Sequence, residues 1–159
     1  MAKGHLATYL NDHLAGSVVV IELLEHFEKE YAGTEEGAFL VAMRASITAS
    51  RRDLEDLMKR LDVAVSRPRK AAAWLAEKFT QLKLGMDDTA GGTLRLLEVV
   101  EAVAVGLAGQ SALWRALAAA SDVDPSLRGT DYRGLEERAE GLRLRVEAMR
   151  LNAARAAFG

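Results

Sequence analysis

Apolar and small residues recur along this chain every three or four positions, the spacing that gathers side chains onto one face of an α-helix. Between His5 and Tyr31 they fall at Leu6, Leu10, Ser17, Val20, Leu24, Phe27 and Tyr31, which predicts one long first helix. Its middle, Val18 to Leu24, is apolar almost all round apart from Glu22, so this helix touches neighbours on more than one side. Ala32-Gly33 supplies a stop. Thr34 then offers an N-cap, with Glu35 and Glu36 set against the positive end of a second helix. Leu40, Met43, Ile47, Ser50, Leu54, Leu57 and Leu61 carry the second stripe, and Arg51, Arg52, Asp53, Glu55 and Asp56 make a solvated side. The short link between the two predicts an antiparallel hairpin.

Ser66 and Pro68 open a shorter third helix whose apolar side is Ala71, Trp74, Leu75, Phe79 and Leu82. Gly85 ends it, and the glycine- and aspartate-rich stretch to Gly92 predicts a flexible crossover before Thr93 caps a fourth helix. Leu97, Val100, Ala104, Leu107, Ser111, Trp114 and Leu117 form the fourth stripe, and Gly106 with Gly109 permits close backbone approach. Asp124-Pro125-Ser126 and Gly129 mark a turn. Leu135, Ala139, Leu142, Val146, Met149 and Ala153 then define a fifth helix to about Phe158. Four long helices, one short helix and one long crossover predict an all-α, up-and-down four-helix bundle or its ferritin-like variant.

Length and composition sharpen this picture. With 159 residues the chain makes a single helical domain, 1–159, and with 50% hydrophobic residues it folds rather than staying disordered. Twenty-one basic against 23 acidic side chains leave a net charge of -2, no field to hold a nucleic acid backbone. The absence of cysteine excludes disulfides, thiolate metal sites and thiol nucleophiles. The first 20 residues lack an uninterrupted apolar stretch, and Leu94 to Ala120 is broken by Arg95, Glu98, Glu101, Gln110 and Arg115. These features predict a cytoplasmic protein in which that helix is core, not a membrane span.

Tyr9-Leu10-Asn11-Asp12-His13-Leu14-Ala15-Gly16, then Glu22-Leu23-Leu24, Ala72-Ala73-Trp74-Leu75-Ala76-Glu77-Lys78 and Ala112-Leu113-Trp114-Arg115-Ala116-Leu117 run across most of the chain. Together they resemble a group of bacterial ferritin-like proteins without an assigned activity. The resemblance implies a ferritin-like bundle. The superfamily in turn implies a di-iron or di-manganese site with a Glu on each of two helices and Glu-x-x-His on the other two. Here His5, His13 and His26 all fall in the first helix, and Glu22 and His26 are four apart rather than three. The usual two-metal centre is therefore not expected within one subunit.

Three candidate residues carry what chemistry remains. His13 lies within ~20° of the first helix's stripe at ~100° per residue, inward enough to be a metal ligand or a proton acceptor. Its alternative is a structural histidine hydrogen-bonded across the bundle to Glu101, Gln110 or Ser111. Asp12 beside it is a possible ligand or an ordinary exposed residue, as is Asn11, both set on the flank or outside. Glu101 is expected to border the core, as an acid-base group or as the partner of an arginine on another helix, while Glu98 faces water. Trp74 and Trp114 read as core, or as walls of a small apolar pocket. Arg67, Arg69, Lys70, Lys78 and Lys83 make the short helix basic, and the last helix's alternating Arg and Glu read as a salt-bridged outer face.

No catalytic residue and no cofactor follow from these patterns. The leading expectation is a non-catalytic ferritin-like structural or interaction module, self-associating through an apolar helix face or binding a protein partner. The rival is a divergent metal-binding oxidoreductase or metal-handling protein that uses His13, Asp12 and Glu101 with iron or manganese. A third reading is a binder of small hydrophobic molecules between the two central helices.

Overall fold

A computed structural model describes residues 2–66, 73, 76, 77, 79–81 and 92–159. Among them are four long helices, α1 (Ala2–Glu30), α2 (Glu35–Arg60), α3 (Thr93–Ala120) and α4 (Tyr132–Phe158), with a three-residue 3-10 helix, Pro125–Leu127, before α4. No strand occurs among the described residues, so the chain is all-α. Trp74, Leu75, Leu82 and the basic residues Arg67, Arg69, Lys70, Lys78 and Lys83, predicted for the short helix, lie outside the described residues, as do Gly85 and the expected crossover up to residue 91.

Each boundary has a local cause. Thr34 Oγ1 accepts the Gly37 N–H at 3.1 Å and donates to the Tyr31 carbonyl at 2.6 Å, tying the end of α1 to the start of α2. Gly33 makes the turn possible with φ of 81°. A side chain at Gly37 would collide with the same Tyr31 carbonyl. α3 begins differently from expectation, because Gly92, not Thr93, is the capping residue, at φ of 82°. The Gly92 carbonyl accepts the Tyr31 hydroxyl at 2.8 Å, so the left-handed turn that only glycine adopts easily lets α1 fix the start of α3. Asp131 caps α4 by accepting the Gly134 N–H at 3.0 Å.

The helices pack as two hairpins, α1 with α2 and α3 with α4, joined chiefly by α1 against α3 and more sparsely by α2 against α4. Direction follows from the ends. The C-terminal end of α1 meets the start of α3 through Tyr31–Gly92 and the Arg95–Glu30 ion pair at 2.6 Å, so α1 and α3 are antiparallel. Arg60 at the end of α2 donates to the Ser126 and Arg128 carbonyls and to Thr130 Oγ1, just before α4, so α2 and α4 are antiparallel too. α2 and α3 therefore run in the same direction.

The core has two clusters. One gathers Val20, Leu24, Phe27, Leu40, Met43, Val100, Val103 and Val146, with Phe79 packed against it. The other gathers Leu10, Leu14, Leu54, Leu57, Leu113, Trp114, Leu117 and Tyr132 at the opposite end. Trp114 is buried and stacks on Tyr132, whose hydroxyl donates to the Leu127 carbonyl at 2.8 Å. By length and composition α3 is apolar enough to cross a membrane, and half of its most apolar stretch is buried inside the bundle.

Asn11 departs from its expected place on the flank, because the chain beyond α2 folds over it and leaves it 5% exposed. Its amide nitrogen donates to the Ala7 and Ala64 carbonyls, and its oxygen accepts the Ser66 N–H at 2.7 Å. Replacing Asn11 by Ala removes its part-buried hydrogen bonds to the Ala64 carbonyl and the Ser66 N–H, at a cost of about 1–3 kcal/mol for the two. Asn152→Ala, which removes only an exposed contact to Arg155, shifts stability by less than about 0.5 kcal/mol. Urea unfolding of the two variants measures the contrast.

Candidate functional site

The apolar faces of α1, α2 and α3 do not close completely where they meet. Val20 packs on Gly106 so closely that a Cβ there would lie 2.8 Å from Val20 Cγ2, the close approach its sequence position predicts. Gly109, three residues on, has no atom within 4 Å of where its Cβ would be. The space left beside it is a cleft of about 410 Å³, within the usual size of small-molecule sites. Val20, Ile47, Leu54, Val105, Leu107 and Leu113 give it apolar walls.

A few polar groups reach this cleft: Asp12, His13 and Ser17 from α1, Ser50 and Arg51 from α2, and Gln110 from α3. Several are already engaged. The Ser17 hydroxyl donates to the Leu14 carbonyl at 2.6 Å, and Arg51 pairs with Glu55 at 2.9 Å. Gln110 differs, since its Oε1 is buried with no hydrogen-bond partner among the described residues. An unpaired buried acceptor is costly. The His13 ring packs edge-on against Tyr9 with centroids 4.6 Å apart. Burial holds its pKa below the ordinary histidine value, and the neighbouring charge of Asp12 offsets this only in part. His13 is thus neutral at pH 7, with one ring nitrogen donating and the other accepting.

The predicted site residues separate. Asp12 and His13 line the cleft together, and of the cross-bundle partners expected for His13 only Gln110 joins them there. Ser111 is buried and its hydroxyl points to Glu140 at 3.5 Å. Glu101 is exposed instead of bordering the core, and accepts from Arg150 of α4 at 3.2 Å. Glu98, expected in water, is half-buried. Both differences share a cause. α3 buries residues against α4 as well as α1, so its buried arc, measured at ~100° per residue, swings away from Glu101 across the far side of Val100.

The di-metal centre implied by the resemblance does not fit these residues. His5, His13 and His26 all sit on α1, and His26 is exposed with its ring against Phe27 and Phe79. Among the described residues no three His, Asp or Glu side chains gather where they would share a metal ion. Gln110 is the cleft residue least evident in the sequence. Its signal was an uncharged amide on the most apolar helix, one residue from the glycine that leaves the space. No family model, curated protein or solved structure matches the chain.

The depressed pKa of His13 has a sign that can be checked. The folded state disfavours the proton that the unfolded chain accepts near its ordinary pKa of 6.5. The contribution of His13 to stability is therefore intact above that value and falls as the pH drops below it towards the lower folded pKa. Thermal unfolding from about pH 7.5 to about pH 5.5 is expected to show a steeper fall in Tm for the native protein than for His13→Gln. Equal slopes would place the His13 ring in water.

Proposed function

We propose that the chain is a cytoplasmic ferritin-like bundle that works as a non-catalytic binding module, holding one small, neutral, largely apolar molecule in the cleft between α1, α2 and α3. The parallel course of α2 and α3, characteristic of bundles with one long crossover, supports the ferritin-like reading. The observation that carries the binding role is an apolar cleft of about 410 Å³ lined by Gln110, a residue whose Oε1 is buried without a hydrogen-bond partner among the described residues. Apolar walls bind the body of the ligand by removing it from water, and a single acceptor orients one hydroxyl or N–H donor. Arg51 is already paired with Glu55, so an anionic head group would lose its hydration without a free countercharge, and a neutral ligand matches the apolar walls. α3 serves as a core helix, its polar interruptions Glu101 and Arg115 paired with Arg150 and Glu136 of α4.

Straight-chain alcohols and alkanes of graded length test this reading. An alcohol that fits raises Tm with the logarithm of its concentration once that exceeds its Kd, the equivalent of about 2.7 kcal/mol at a hundred times its Kd. Gly109→Leu fills the cleft and removes the shift. Gln110→Leu keeps alkane binding and erases about tenfold of the preference for alcohol over alkane, the worth of one hydrogen bond. A native protein indifferent to every chain length overturns the proposal, as does a shift that survives Gly109→Leu. Near-stoichiometric iron or manganese that is lost in His13→Gln would favour the metal-handling reading instead.

A further inference from the structure

The outward face of α4 carries a second apolar feature, remote from the cleft. Leu144, Leu151 and Phe158 are 59%, 42% and 76% exposed and follow one another at seven-residue intervals. Ala148 and Arg155, also exposed, fall between them, giving alternating steps of three and four residues. This is the seam by which two helices pair. The buried face of the helix, Leu142, Val146 and Ala153, lies on the opposite side, so the seam is not needed for the bundle's own packing. A row of large exposed apolar side chains on one helix face is a mark of an interaction surface.

We propose that a second copy of this chain covers the seam, with the two α4 helices antiparallel about a two-fold axis through Leu151. Charge selects this occupant and this direction. In the antiparallel register Leu144 meets the partner's Phe158, Leu151 meets the partner's Leu151 on the axis, and Arg155 faces the partner's Glu147, so the Leu144 and Arg155 contacts each occur twice and Arg155 meets an opposite charge. A parallel pair centred on the same seam would set Arg155 against the partner's Arg155. Arg155 is free for the role, since its one side-chain hydrogen bond, at 2.8 Å, is to Asn152 and not to a carboxylate. Glu147 is held by Arg150 through both oxygens at 2.8 Å, which fixes the carboxylate in place while leaving lone pairs for a further donor. The seam spans ~21 Å of helix at 1.5 Å per residue. That small length makes a weak, concentration-dependent dimer the form to expect.

Sedimentation equilibrium over a broad concentration range tests the pairing. The native chain is expected to pass from monomer to dimer, and Leu151→Glu, which sets two carboxylates across the axis, to remain monomeric while keeping its native circular dichroism. Arg155→Glu weakens the dimer roughly tenfold, because two exposed ion pairs become repulsive. Adding Glu147→Arg to it restores most of the affinity. A native chain that stays monomeric throughout overturns the proposal. So does a dimer indifferent to Leu151→Glu, and failure of the double charge reversal to rescue overturns the antiparallel register.

Discussion

The contact of Val20 with Gly106 sets how near α1 and α3 can come, and the interior follows from that distance. With no Cβ at 106, the valine methyl packs on helix backbone, and the two most apolar helices join the hairpins into one core. The same closeness is not sustained at Gly109, where no neighbouring atom fills the space a side chain would take. One glycine thus allows contact and the other leaves a cleft. Small residues on a packed helix have both effects, and only the neighbouring helix distinguishes them.

Polar ties at the two ends hold this arrangement in register. At one end Tyr31, Gly92, Glu30 and Arg95 bind the close of α1 to the opening of α3. At the other, Asn11 fastens the chain leaving α2, while Arg60 gathers three oxygens ahead of α4. Hydrophobic burial alone would tolerate sliding of one helix along another, since a leucine seam is nearly self-similar turn by turn. Directed hydrogen bonds to single carbonyls are not. Along the outer surface, Arg143 and Arg150 are held by Glu140 and Glu147, pairs whose mutual hydrogen bonds lower the carboxylate pKa values and raise those of the guanidinium groups. These ion pairs are exposed and order the surface more than they stabilise it.

Much of the architecture was legible from periodicity, because Leu40, Met43, Ile47, Leu54 and Leu57 can share a face only in a helix, and that face is the buried one. Thr34 and its following glutamates announced α2 for a similarly local reason. Legibility failed where burial depended on a second neighbour. Glu101 would border the core if one helix covered α3, whereas two do. Asn11 looked like a flank residue because nothing near it in sequence shows that residues 64 and 66 return to it. His13 was found by its angle on α1, and its loss of basicity follows from burial by the helices around it.

The sequence by itself determined the all-helical class, the extent of the long helices, the turn at Thr34 and the restriction of imidazoles to α1, because each depends on residues within a few positions of one another. Only the tertiary structure decided that Gln110 and His13 share a cleft while Glu101 faces Arg150, that Gly109 leaves space rather than contact, and that Leu144, Leu151 and Phe158 stay outside. Those outcomes depend on which helix lies against which and at what rotation. Such placement arises from the joint packing of all the stripes, and no single stripe encodes it.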